Sequence, residues 1–262
     1  LEFKSLLDKF VKKPQQPQKV VNLQLDLFAE NPTNDAVGSE FSSFESLKTT
    51  SHDYQLIENE EEARKLFDFF VTKRILSLDT ETTSINPVDA ELVGLSFSVE
   101  EGKAFYVAIP AERKKAQTIV NIFKPLYEST EILKIGQNIK YDMEVLMNYG
   151  VRLAAPMFDT MIAHYVLQPE QKHNMDILAE TLLGYQTVHI DELIGPKGKG
   201  QKNMRDLSPA DICDYAAEDA DVTLRLYNVL KPRLKETGVE DLFYNIEMPL
   251  VPVLAEMEMN GV

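Results

Sequence analysis

The chain has 262 residues, 44% hydrophobic and 26% charged, with 27 basic against 42 acidic side chains and a formal net charge of −15. Such a composition fits a globular domain with a sizeable core. It excludes a disulfide framework and a thiolate zinc site, because Cys213 is the one cysteine, and His52, His164, His173 and His189 show no zinc-binding spacing.

No apolar run approaches the ~20 residues that a bilayer-crossing helix needs, and no signal-peptide pattern opens the chain, so a cytoplasmic protein with no membrane partner is expected. The acidity argues against gripping nucleic acid by bulk charge. It leaves open an enzyme that binds nucleic acid through divalent cations held by carboxylates.

Residues 1–51 read as linker. A short amphipathic stretch (Leu1, Phe3, Leu6, Leu7, Phe10) is followed by Pro14, Pro17 and a polar run rich in Asn, Ser and Thr. Both ends look cut, since the chain starts at Leu1 and stops just after an apolar helical pattern (Leu250, Val253, Leu254, Met257). An excised piece of a longer protein is expected.

From residue 52 the pattern is α/β. Glu60–Val71 is predicted helical, its glutamates in the first turn where the helix dipole favours them. Ile75–Asp79, Glu91–Val99 and Lys103–Ile109 are predicted strands, the last two joined as a hairpin at Glu101-Gly102. Gln117–Tyr127 reads as helix, Ile132–Gly136 as a buried strand and Ile139–Tyr149 as helix. Asp159 and Asn174 are predicted to cap helices over Thr160–Leu167 and Met175–Leu183. Ser208 and Pro209 open a long helix reaching about Leu230. Three early strands followed by strand–helix alternation give a mixed sheet flanked by helices.

Three signals carry chemistry. Asp79-Thr80-Glu81 ends a strand, and strand residues i and i+2 face the same way, so two carboxylates project side by side. Such a pair is costly unless a cation lies between them, and oxygen ligands suit magnesium or manganese. Asn138-Ile139-Lys140-Tyr141-Asp142 spans a strand–helix junction, where α/β folds place ligands. Tyr215 and Asp219 stand at i and i+4 on one helical face. Taken singly, each signal has a plainer reading: a solvated strand end, a helix start, a core tyrosine beside a surface acid. Their order along one chain is what sets them apart.

In that order the motifs resemble the proofreading 3′–5′ exonuclease domain of bacterial family A DNA polymerases, the DNA polymerase I family, of the DEDDy type. The resemblance runs from about Tyr54 to Val262. It includes Leu92-Val93-Gly94-Leu95-Ser96-Phe97, Phe158-Asp159-Thr160-Met161, Asp176–Glu180 and Tyr215–Asp221. It implies a ribonuclease H-like (DnaQ-like exonuclease) α/β fold, with three antiparallel strands, parallel additions and flanking helices. It also implies a division into a linker with the tail of a preceding 5′-nuclease domain (1–51), the exonuclease domain (52–240) and the first helix of a polymerase domain (241–262).

By the same resemblance, Asp79, Glu81, Asp142 and Asp219 are the four metal-binding acids and Tyr215 the fifth catalytic residue. Two divalent ions are implied, Mg2+ or Mn2+, with Zn2+ possible in one site. Asp79, Glu81 and Asp219 would hold the first ion, Asp79 and Asp142 would reach the second, and Tyr215 with Glu81 would orient the attacking water. Ile85 and Met204 match positions that wedge against the terminal bases, although an aromatic is expected where Met204 stands. Thr80, Gln137, Asn138 and Lys140 are expected contacts to the DNA strand. Lys197, Lys199, Lys202 and Arg205 form an acid-free basic stretch that can meet phosphates, or a solvated loop.

Tyr141 and Cys213 are expected in the core, and His164 and His173 as structural or surface residues. The expected partners are a single-stranded or frayed 3′ end of DNA and, in cis, polymerase and 5′-nuclease domains around a monomer. An RNA-trimming exonuclease and a catalytically silent spacer are the alternatives.

Overall fold

The computed structural model describes residues 44–198 and 200–262. The expectations for 1–43 and for Lys199 lie outside the described residues.

A six-stranded mixed sheet is built from β2 (Asp53–Ile57), β3 (Ile75–Thr82), β4 (Leu92–Glu100), β5 (Lys103–Ala108), β6 (Leu133–Gly136) and β7 (Met157–Asp159), in the order β2-β5-β4-β3-β6-β7. A separate two-residue strand, β1 (Glu45–Ser46), pairs in parallel with β8 (Tyr185–Gln186). β3, β4 and β5 are antiparallel, as expected, and β6 adds to β3 in parallel. Four strands escaped the sequence reading: the two-residue β1, within the stretch read as linker, and β8, and at the edges of the large sheet β2 and β7. β2 adds in parallel to β5, and β7 adds in parallel to β6. β2 and β7 are short edge strands paired with distant partners: β2 alternates polar and apolar residues over Asp53–Leu56 alone, and the three buried residues of β7 show no alternation.

Helices α1 (Glu60–Phe70) and α2 (Arg113–Tyr127) cover one face of the sheet. Phe70 from α1, Phe97 from β4, and Phe123 and Tyr127 from α2 stack there with ring centroids 5.0–6.0 Å apart. Asn59 opens α1 by accepting from the Glu62 amide at 2.9 Å.

On the other face lies α7 (Pro209–Glu236), packed against β2, β3, β4 and β5. Ser208 caps it through the Asp211 amide at 3.3 Å, and Pro209 sits in its first turn. Ser77, Ser96 and Gly94 on the strands and Ala216, Ala217 and Ala220 on the helix are small, so backbone can approach backbone here. At Gly94 a Cβ would lie 2.0 Å from the Tyr106 ring, so only glycine fits opposite Glu81.

α3 (Ile139–Met147) follows β6, and α4 (Thr160–Leu167) follows β7. The Asp159 carboxylate caps α4 through Ile162 N at 3.0 Å. α5 (Met175–Leu178) runs into a π-helical turn over Ala179–Leu183, and the Asn174 side chain makes no capping bond. The short α6 (Ile190–Ile194), α8 (Glu240–Leu242) and α9 (Met248–Met259) complete the chain, with α9 packed on α3. Cys213 is buried in α7, and buried His164 bonds His173 at 2.7 Å between their Nδ1 atoms. Among the described residues no helix is long and apolar enough to cross a membrane.

Candidate active site

β3 occupies the middle of the sheet, and its last residues carry the first two acids. Asp79 pairs with Ser96 and Glu81 with Gly94, on the face that meets α7. Asp219 projects from α7 toward the same point. One carboxylate oxygen from each of Asp79, Glu81 and Asp219 lies within 4.8 Å of the others.

Asp142, from the first turn of α3, lies beside this cluster but outside the set of three. It is buried, and Thr80 Oγ1 donates to its Oδ1 at 2.6 Å. The turn before α3 is tight, with Asn138 in the left-handed region at φ 60°. A second buried carboxylate, Asp159, accepts from Ile139 N at 2.7 Å and so fixes the start of the helix that bears Asp142.

Crowding leaves its mark on the acids. Burial, opposed by the Thr80 amide, pushes Asp79 up to about 6. Burial and then the charges of Asp79 and Asp142 raise Glu81 well above the carboxylate range. Asp219 and Asp142 are raised in the same way, by burial first and Asp79 next. Ionising all four would leave them without a counter-charge among the described residues, which is the electrostatic condition for binding cations. Half-buried Tyr215 faces Asp219, Glu81 and Asp79. Burial and those negative charges push its phenol far above the ordinary value, so it stays protonated at neutral pH.

Beside the cage lies a cavity of about 530 Å³, lined by Thr80–Ile85, Asn138, Tyr141, Ile190, Ile194 and Gln201–Met204. Thr80, Asn138, Lys202 and Met204 are among its lining residues. Met204 is buried and Ile85 is 98% exposed. Tyr141 packs half-buried against the core, as expected, and also lines the cavity, with its hydroxyl bonded to Thr82 Oγ1 and to the Ser84 carbonyl.

Three expected contacts point elsewhere. Gln137 donates to the His173 carbonyl at 2.7 Å and accepts from Thr160 Oγ1. Lys140 pairs with Glu258 of α9 and lies 3.8 Å from Glu144. Arg205 donates to the carbonyls of Ile109, at 2.5 Å, and Leu92. Its guanidinium ties the ends of β4 and β5 to the cavity wall instead of meeting solvent. Lys197 is exposed in the preceding loop, away from the cavity lining.

Residues 54–235 match the profile of a family described as 3′–5′ exonuclease. Over 242 residues the chain is 33% identical to DNA polymerase I of Borreliella burgdorferi, covering 91% of this chain and 26% of that one. Over 209 residues it is 39% identical to DNA polymerase I of Pseudomonas aeruginosa, covering 74% and 23%. The chain thus spans about a quarter of the length of these relatives. The fold is shared with Escherichia coli RNase D, described as an exoribonuclease involved in structured RNA processing. The TM-score is 0.62 at 18% identity, over 80% of this chain and 51% of that one. The sheet, with its ribonuclease H-like mixture of parallel and antiparallel strands, thus agrees with a match over more than half the sequence, and the chain belongs to the 3′–5′ exonuclease family of DNA polymerase I.

Proposed function

We propose that the chain hydrolyses the 3′-terminal phosphodiester of DNA with the help of two divalent ions, releasing 5′-mononucleotides. In this reading it proofreads within a longer bacterial polymerase of the cytoplasm. Residues 52–240 form the exonuclease domain, and 241–262 begin the polymerase domain in cis. The observation that carries the proposal is the convergence of Asp79, Glu81 and Asp219, from distant parts of the chain, into one set of carboxylate oxygens with Asp142 beside them.

The donor set fits Mg2+ or Mn2+, with Zn2+ admissible in one position. All ligands are oxygen, and burial, then the neighbouring carboxylates, raise the pKa of Glu81 and Asp219. When bound, paired divalent ions activate water and neutralise charge on the phosphate and the leaving 3′-oxygen. Asp79, Glu81 and Asp219 would hold one ion, and Asp79 with Asp142 the other.

The protein's own residues do the rest. The protonated Tyr215 phenol and Glu81 orient a water in line with the scissile bond. A bond forms from water oxygen to phosphorus, the bond to the 3′-oxygen breaks, and that oxygen leaves with a proton. The cavity takes the terminal nucleotides, with Ile85 at its rim, Met204 against the bases, and Thr80, Asn138 and Lys202 toward the strand backbone. Frayed or mismatched ends are preferred, because a paired end must first be unstacked.

The test is digestion of a 3′-labelled single-stranded DNA oligonucleotide with Mg2+ or Mn2+. The wild-type chain releases label, and the double substitution Asp79→Ala, Glu81→Ala slows release by at least about 10³-fold, a size typical for loss of a central electrostatic element. Equal rates would refute the assignment of the site. An RNA oligonucleotide of the same sequence, cleaved as fast, would favour RNA trimming; the DNA polymerase relatives support DNA.

A further inference from the structure

Glu218 has no part in the hydrolysis described above, yet it is a fully buried carboxylate one residue before Asp219. Successive helix residues diverge by about 100°, so Asp219 faces the cage while Glu218 points away from it. Both of its oxygens are engaged. Tyr185 Oη donates to Oε1 at 2.6 Å, and the Val188 amide donates to Oε2 at 2.7 Å. Burying a carboxylate is unfavourable unless it is bonded in this way. An apolar residue would serve helix packing alone, so this carboxylate answers to what it holds.

What it holds is the root of the cavity wall. Val188 lies just before α6, whose Ile190 and Ile194 line the cavity, and the same segment runs on through Lys202, Asn203 and Met204. The far end is tied to the sheet, with Asn203 Nδ2 donating to the Thr83 carbonyl at 2.7 Å. At the near end, Asp176 bonds Thr187 at 2.8 Å and His189 at 3.2 Å, but Asp176 is 39% exposed at its side chain. Glu218 is the buried tie.

We infer that Glu218 is a positioning residue that fixes the wall of the DNA cavity to the helical turn carrying Asp219. One turn of α7 thereby sets both the cage and the surface that presents the strand to it. The inference rests on the exonuclease reading for its substrate, and on geometry alone for the anchor.

Glu218→Gln tests it, since the amide keeps the volume but offers an N–H2 to one of the two donors. KM for a single-stranded DNA oligonucleotide should rise at least fivefold, with kcat and Mn2+ affinity within twofold of wild type. Trypsin should cut at exposed Lys197 and Lys202 at least fivefold faster. Val188→Pro deletes the same hydrogen bond from the wall side and should reproduce both effects, which covers the case in which the Gln variant does not fold. Unchanged KM and unchanged tryptic rates would overturn the inference. So would a loss of kcat and Mn2+ affinity with KM unmoved. If the wild-type chain cleaves no DNA, the exonuclease reading itself fails, and the tryptic rates still decide whether Glu218 anchors the wall.

Discussion

Asp79 shows what the cage asks of single residues. Its carboxyl, pushed up to about 6 by burial, must be ionised to bind a cation, so protons and metal compete for it. Mn2+ affinity should therefore fall as pH drops from 7 to 5, read by calorimetry or by the spin signal of free Mn2+. Tyr215 is displaced in the direction that rules out service as a base at neutral pH. Tyr215→Phe should thus lower kcat about 10²-fold, in line with lost hydrogen-bond orientation, without removing any limb of the rate profile between pH 6 and 9. Residues at this scale were the most legible in the sequence. The two-residue spacing of Asp79 and Glu81, and the four-residue spacing of Tyr215 and Asp219, fix orientation through local geometry alone. Asp159 and Glu218 were not read as supports of the site, because their partners, Ile139, Tyr185 and Val188, are remote in sequence. Arg205 misled for the same reason: a cation in a basic run gives no sign that two main-chain carbonyls claim it.

Among the elements, β6 carries an anomaly. Lys134 is fully buried in it, its ammonium donating to the Ser129 carbonyl, and burial lowers its pKa to about 8. Unfolded, the same group titrates near the ordinary lysine value, about 10.4. Between those values the unfolded chain binds more protons, so this residue makes stability rise with pH from about 8 to about 10.4. Lys134→Met should stabilise the chain by about 3 kcal/mol at pH 7, because each tenfold weakening of proton binding on folding costs about 1.4 kcal/mol, and by less at pH 10. Urea titrations at the two pH values would check both the sign and the convergence. The long helices and the β3–β5 meander were legible from period and caps. The edge strands β2 and β7 were not, since a five-residue and a three-residue strand become strands only when β5 and β6 stand beside them.

At the scale of the whole molecule, a net charge of −15 coexists with a cleft proposed to take a polyanion. On the proposed function the two are reconciled locally: the cage gathers Asp79, Glu81 and Asp219, with Asp142 nearby, where bound cations would reverse the sign of the surface offered to DNA. The fold achieves this by setting β3 in the interior of the sheet and pressing the alanine-rich stretch of α7 onto it. Neither element can yield to relieve the repulsion.

That rigidity has a thermal consequence. Without cations, the folded chain at pH 8 confines like charges that unfolding would set free, and carboxyls raised on folding make stability fall as pH climbs past their unfolded values near 4. Neutralising one of them by Asp219→Asn should raise the melting temperature of the metal-free chain by about 2–5 °C at pH 8, and by less at pH 5. Saturating Mg2+ should invert the ranking, because only the parent molecule keeps the full set of ligands. Differential scanning calorimetry with EDTA, then with Mg2+, would reveal a protein that gives up heat tolerance to stay ready for its ions.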